Sequence, residues 1–166
     1  MWYVLQVKNG QERAVQEALQ KLSILALVPR ENRQVRKGGG WTRKAYTLFP
    51  GYVFVNLRYN AENYYRVKGI PGVTRFLGAS GLAPSHLSYL EAEWIKALAG
   101  IDGEPLEPTR VRELPDGSLR IVEGVLSSFA TRTIQYDKRA RRARVEITLC
   151  GEPKTLNLSV EVVESV

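Results

Sequence analysis

The stretch Leu48-Phe49-Pro50-Gly51-Tyr52-Val53-Phe54-Val55-Asn56-Leu57 restricts the fold more than any other part of the chain. A Pro-Gly turn signal opens into an apolar run of strand formers, which reads as a central strand. Side chains alternate across a strand, so Val53, Val55 and Leu57 point to one face and Tyr52, Phe54 and Asn56 to the other. The aliphatic face suits a helix packed on the sheet. The aromatic face either completes a second core layer or lines a groove for a partner, and from the strand alone core is the simpler reading.

The rest of the chain supplies a body for that strand. With 166 residues, 44% of them hydrophobic, it has material for one or two small domains with real cores. No apolar stretch is long enough to span a bilayer and the N-terminus lacks the pattern of a secretory signal, so a cytoplasmic protein is expected. The lone Cys150 has no internal disulfide partner, and with only His86 beside it no metal-ligand cluster is legible. There is no Gly-rich phosphate loop and no nucleophile elbow. Neither an enzyme nor a cofactor is expected, and His86 reads as a surface residue in a helix's first turn.

Charge is unevenly spread. Residues 1–100 carry 14 Lys and Arg against 6 Asp and Glu, whereas residues 101–166 carry 10 against 11. The positive field belongs to the N-terminal part, which points to a polyanionic partner, a merely solvated basic face being the alternative.

Taken in order, Trp2–Val7 reads as a strand buried on both faces that pairs near the Tyr52 strand. Asn9, followed by Glu12, caps a helix over about residues 10–21 with Ala14, Val15, Ala18, Leu19 and Leu22 on its apolar side. Lys8, Arg13 and Lys21 lie on its polar side, within reach of phosphate if one is bound. Two strands, Ala26–Val35 and Arg43–Leu48, flank a flexible tip at Gly38-Gly39-Gly40. Arg30, Arg33, Arg36, Lys37, Arg43 and Lys44 surround that tip together with Trp41. Cations beside an aromatic ring suit nucleic-acid backbone and base, while an exposed hairpin that uses charge to resist edge aggregation is the blander alternative. A short helix over Glu62–Val67, a turn at residues 69–72 and a strand over Val73–Leu77 follow. A helix begun by Pro84 and Ser85 carries a stripe of Leu87, Leu90, Trp94 and Leu98 and stops at Gly100.

Residues 101–109 mix acidic residues with Gly and Pro and read as a linker between a domain over residues 1–100 and another over 110–166. The second part is all β by pattern. Strand candidates Arg110–Leu114, Ser118–Val122, Arg132–Tyr136, Ala143–Leu149, Lys154–Leu158 and Glu161–Val163 suggest a small barrel. Between two of them, Lys138, Arg139, Arg141, Arg142 and Arg144 form an arginine-rich loop.

Three motifs in this order resemble the NusG family of transcription elongation factors. They are Trp2-Tyr3-Val4-Leu5, Leu48-Phe49-Pro50-Gly51-Tyr52-Val53-Phe54-Val55, and Gly69-Ile70-Pro71-Gly72-Val73-Thr74-Arg75-Phe76-Leu77-Gly78. The barrel segments Ile121–Leu126 and Arg144–Ile147 resemble the KOW pattern, with Thr131 in place of its second glycine. The resemblance implies an α+β protein: an N-terminal NGN sandwich of antiparallel sheet flanked by helices, then an SH3-like KOW barrel.

The resemblance also implies function. Gln6, Phe49, Tyr52 and Phe54 match positions that meet the clamp helices of RNA polymerase's largest subunit, and Asn63 and Tyr64 match a contact on the opposite jaw. A bridge of this kind suppresses pausing. The basic hairpin and first helix would lie near upstream DNA or emerging RNA. An aromatic that helps relatives bind Rho and a ribosomal protein falls at Cys150, so those partnerships are not carried over. The basic N-terminal domain and the arginine-rich barrel resemble specialised antiterminators of the LoaP type, which implies recruitment by an RNA hairpin to a monomeric factor. Strand-favouring residues such as Ile121, Val122, Thr133, Ile134, Val145 and Ile147 argue against a barrel that refolds into helices. A free-standing RNA-binding module, or a ribosome-associated KOW protein without polymerase contact, is the second reading.

Overall fold

The computed structural model describes residues 1–78, 83–129 and 132–164. The KOW substitution at Thr131 lies outside them. The elements run β1 (Trp2–Val7), α1 (Glu12–Lys21), β2 (Leu25–Leu27), β3 (Arg30–Lys37), β4 (Gly40–Thr47), β5 (Tyr52–Asn56), α2 (Ala61–Lys68), β6 (Val73–Phe76) and α3 (Tyr89–Leu98). After these come β7 (Thr109–Glu113), β8 (Leu119–Glu123), a 3-10 turn (Val125–Phe129), β9 (Ile134–Asp137), β10 (Arg142–Leu149) and β11 (Glu152–Val163). The architecture is α+β, as expected.

The apolar run forms β5, which pairs antiparallel with β1 at the centre of a sheet ordered β2-β5-β1-β6. Its two faces divide as the alternation demands. Val53, Val55 and Leu57 pack with Val15 and Leu19 of α1 in one core, while Phe54 belongs to a different core with Phe49, Trp94 and residues of the barrel.

Local chemistry adjusts the helix starts. Asn9 does not cap α1. The carboxylate of Glu12 instead accepts from the Gly10 amide at 3.1 and 3.0 Å and from the Gly51 amide at 3.0 Å, tying the helix start to the turn before β5. A capping box between Ser88 and Glu91 delays α3 to Tyr89. That shift leaves Leu90 exposed and puts Ile95 into the core beside Trp94 and Leu98. His86 is exposed as expected, but in an extended segment that bridges Tyr3 rather than in a helix.

The glycine tip is a regular turn. Gly38 and Gly39 take φ of +60° and +80°, forming a two-residue turn whose backbone twist matches the flanking strands. Pairing therefore continues to Lys37 and Gly40, and Trp41 faces Arg36 across the ladder. Pro29 separates β2 from β3, since it has no amide to give to a ladder.

The second half is a curved five-stranded sheet, β8-β7-β11-β10-β9, with a parallel β7–β11 pair, the form of an SH3-like half-barrel. Alternate residues Ala143, Val145, Ile147 and Leu149 of β10 point into its core. The two strand candidates at residues 154–163 are one strand, β11. The arginine-rich loop is shorter than its sequence suggests: only residues 138–141 form the turn, with Arg141 at φ +56°, while Arg142 and Arg144 lie on β10.

The linker is not free. Leu106 pairs with the edge of β3, its amide donating to the Arg30 carbonyl at 2.8 Å and its carbonyl accepting from the Asn32 amide at 2.7 Å. No helix among the described residues is long and apolar enough to cross a membrane.

Candidate functional site

Two sets of side chains carry the functional expectations, and each is centred on the contact between the N-terminal half and the barrel. The aromatic set starts on β5. Phe54 is fully buried and Phe49 is 5% exposed; their rings meet edge to face at a centroid distance of 5.2 Å. The same core takes in Val111, Leu126, Phe129, Leu149 and Leu156 of the barrel half. Tyr52 is half-buried, and Lys154 of β11 covers it: the ammonium donates to the Tyr52 hydroxyl at 3.2 Å and lies 5.1 Å from the ring centre. The aromatic face of the central strand is thus occupied by the chain's own barrel.

The remaining residues of that set sit apart from this contact. Gln6 accepts from the Arg75 guanidinium across the β1–β6 pair. Asn63 is part of the α2 cap, its amide donating to Asn60 Oδ1 at 2.8 Å, and its side chain donates to the Arg58 carbonyl at 2.7 Å. Tyr64 stacks on Phe76 and meets Tyr59 and Tyr65 edge to face, while Tyr65 is 72% exposed.

The basic set is drawn together at the hairpin. β3 packs along β11, and Arg141 of the barrel turn places its guanidinium 4.0 Å from the centre of the Trp41 ring, with Arg36 at 5.4 Å. Arg141 also donates to Gln34 Oε1 at 3.0 Å, and Arg142 to the Gln34 carbonyl at 3.3 Å. Cations from sequence positions a hundred residues apart therefore share one surface. Several are engaged internally. Arg33 pairs with Glu31 at 2.8 Å, Arg43 with Glu107 at 2.9 Å and Glu161 at 3.2 Å, and Lys138 with Glu113 at 2.9 Å. Arg36, Lys37, Lys44, Arg139 and Arg144 make no ion pair among the described residues. Lys8, Arg13 and Lys21 are exposed on or beside α1, and the positive charge of Arg13 lies near enough to Arg30 to add to the effect of burial in depressing that guanidinium's pKa.

Sequence patterns gave no warning of the residues that join the halves. Glu31 is 2% exposed and accepts from the Ser159 amide at 2.9 Å, and Ser159 Oγ accepts from the Gln34 amide at 3.2 Å. Burial raises the Glu31 pKa, against the pull of the Ser159 amide, Arg33 and Arg142. Burial likewise lowers that of Arg142, aided by the charge of Arg33. At the other end of the contact Glu91 accepts from the Gly151 amide at 3.0 Å. Cys150, half-buried in the same turn, has its thiol pushed up to about 11 by burial and by Glu91, which makes it unreactive at neutral pH. Polar residues at alternate strand positions read as solvated edges, and nothing local marks them as inward.

Comparison with known proteins gives the family and the fold. Residues 1–96 match the family model described as transcription termination factor nusG. The chain is similar to the transcription termination/antitermination protein NusG of Pasteurella multocida, 28% identical over 173 residues and covering 98% of this chain and 93% of the relative. The protein of the same description from Pseudomonas aeruginosa is 27% identical, covering 99% and 98%. Among solved structures, one described as domain interaction in Thermotoga maritima NusG matches with a TM-score of 0.59 at 24% identity, over 96% of this chain and 93% of that one.

Proposed function

This chain belongs to the NusG family of transcription termination and antitermination factors, and from that premise we propose that it binds RNA polymerase through the aromatic face of β5. The clamp helices of the largest subunit would take the place now held by the barrel, with Gln6, Phe49, Tyr52 and Phe54 in contact. Asn63 and Tyr64, beside the exposed Tyr65, would meet the opposite jaw. Bridging the two jaws favours the closed clamp and so suppresses pausing and termination, an effect of differential binding that requires no catalytic group. The factor would work as a monomer in the cytoplasm, where the polymerase is.

The observation that carries this reading is the family match over residues 1–96, which contains the whole aromatic set. The test is co-purification of polymerase with wild type, with Glu161→Arg and with Glu161→Arg plus Phe54→Ala. Glu161→Arg sets a cation against Arg43 and loosens the barrel, so polymerase recovery should rise, and the added Phe54→Ala should abolish it. If neither wild type nor Glu161→Arg recovers polymerase, the reading fails.

The basic surface favours an RNA element as the recruiting signal, in the manner of a LoaP-type paralogue, and upstream DNA is the other polyanion within its reach. The Arg36–Trp41–Arg141 stack supports this, because arginine planes and an indole can hold phosphate and an unpaired base together. Replacing Arg139 and Arg141 with Ala should weaken binding to cognate and scrambled RNA hairpins alike and lower the salt slope by about one unit per lost phosphate contact. Binding that is indifferent to these changes would leave the turn as solvated surface.

A further inference from the structure

The face of the barrel that points away from its core holds a groove of about 580 Å³ lined by polar and charged residues. Strand alternation builds it. With Ala143, Val145 and Ile147 pointing inward, Arg144 and Glu146 of β10 must point outward. Register sets Gln135 of β9 on one side of Arg144 and Asn157 of β11 on the other, so a guanidinium stands in a cross-strand row between two carboxamides. The next row sets Glu146 beside Thr155. Arg132 closes one end, its guanidinium 4.9 Å from the ring centre of Trp94, a residue only 6% exposed. That arginine is exposed, so it presents a cationic plane backed by an indole.

A second groove of about 310 Å³ shares Gln135, Arg144 and Asn157 and continues to Tyr136, Asp137 and Arg142. Arg142 reaches the hairpin through the Gln34 carbonyl, and its neighbour Arg141 lies on Trp41. One polar path therefore runs from Arg132 across the barrel face to the hairpin. Arg142 and Arg144 stand about 6.8 Å apart along it, two strand residues.

We propose that this path is a binding groove for unpaired RNA, in which Gln135, Arg144 and Asn157 read base edges and Arg132 offers a stacking plane. It deepens the RNA half of the reading above and rests on it. The chemistry selects the ligand. A nucleobase edge presents donors and acceptors side by side, which carboxamides and a guanidinium match in pairs, and Glu146 can accept from an exocyclic amine. Unpaired bases can lie flat on a sheet face, whereas the base edges of an RNA duplex are sequestered in its narrow major groove. An acidic peptide would set its carboxylates against Glu146.

The test is fluorescence anisotropy of the full-length protein with ten-nucleotide homopolymers rA, rC and rU, repeated across salt. Gln135→Ala combined with Asn157→Ala should reduce an approximately tenfold spread among homopolymers to within about twofold, with the salt slope unchanged. Arg144→Ala should weaken the tightest-bound homopolymer most, by about tenfold, and so narrow the spread as well. All three residues are exposed, so folding should be preserved and is checked by circular dichroism. If the double variant keeps the wild-type ranking while Arg139→Ala with Arg141→Ala still weakens binding, the groove is not the site and the broader RNA reading survives. If wild type binds no homopolymer and no hairpin, both fall. Displacement of RNA by poly-glutamate, equally in wild type and in the double amide variant, would make the face an acidic-protein contact and overturn the proposal.

Discussion

Glu31 and Glu91 are both buried where the halves meet, yet their proton affinities move in opposite directions. Burial raises Glu31 above the ordinary glutamate value of 4.5, the Ser159 amide, Arg33 and Arg142 only partly opposing it. Burial would raise Glu91 as well, but the Thr148 hydroxyl and the amides of Ser88 and Gly151 outweigh it and hold the pKa below 4.5. The native state therefore holds a proton on Glu31 more tightly than the unfolded chain does. Its contribution to stability is complete below 4.5 and declines as pH rises through the raised value. Glu91 contributes fully above 4.5 and its share is lost as pH falls through the depressed value. Denaturant midpoints measured from about pH 3 to about pH 8 should accordingly show Glu31→Gln removing part of the decline above 4.5, and Glu91→Gln flattening the acid limb. Unchanged profiles in both variants would mean that neither carboxylate changes proton affinity on folding. Neither role could be read from sequence, because Glu31 meets Ser159 across 128 positions and both carboxylates look like ordinary surface charge.

At the level of elements, legibility followed locality. β1, α1, β5, α2 and β6 lie where periodicity and turn residues place them, because each is specified by its own few residues. The start of α3 moved because two capping candidates competed, and the Ser88–Glu91 box satisfies two end amides where Ser85 would satisfy one. β11 looked like two strands because the polar Ser159 falls between the candidates Lys154–Leu158 and Glu161–Val163, whereas it is buried and bonded to the hairpin. The β8 end shows a sharper constraint. Gly124 has φ +129°, and a Cβ there would lie 2.6 Å from Thr109 Oγ1 and 2.7 Å from Thr109 Cα. Backbone cannot yield as a flexible side chain does, and Thr109 Oγ1 also receives the Leu126 amide. Gly124→Ala should therefore destabilise the protein by at least about 2 kcal/mol, from overpacking and dihedral strain together. A urea midpoint equal to wild type would contradict this.

The whole molecule is closed on the surface it is proposed to use. If the open form were one part in a hundred, the affinity for polymerase would be about a hundredfold weaker than that of the exposed face. The gain expected from Glu161→Arg is then bounded by that ratio, and titration of polymerase against both proteins measures it. The NusG resemblance made the α+β architecture legible, but the arrangement of its two halves depends on contacts between distant residues, to which a motif is blind. The pairing of Leu106 with β3 has a further consequence. While that pairing holds, only Glu107 and Pro108 separate the hairpin edge from the first residue of β7, so the barrel cannot swing away without peeling the linker off the hairpin. Once peeled, residues 101–108 behave as a chain with a mean span of about 16 Å. The freed barrel then remains at a millimolar effective concentration beside the face it left. Release is a contest between ligands at fixed local concentration, indifferent to how much of the protein the cell makes, and a barrel supplied in trans at micromolar levels would compete poorly with the one already tethered.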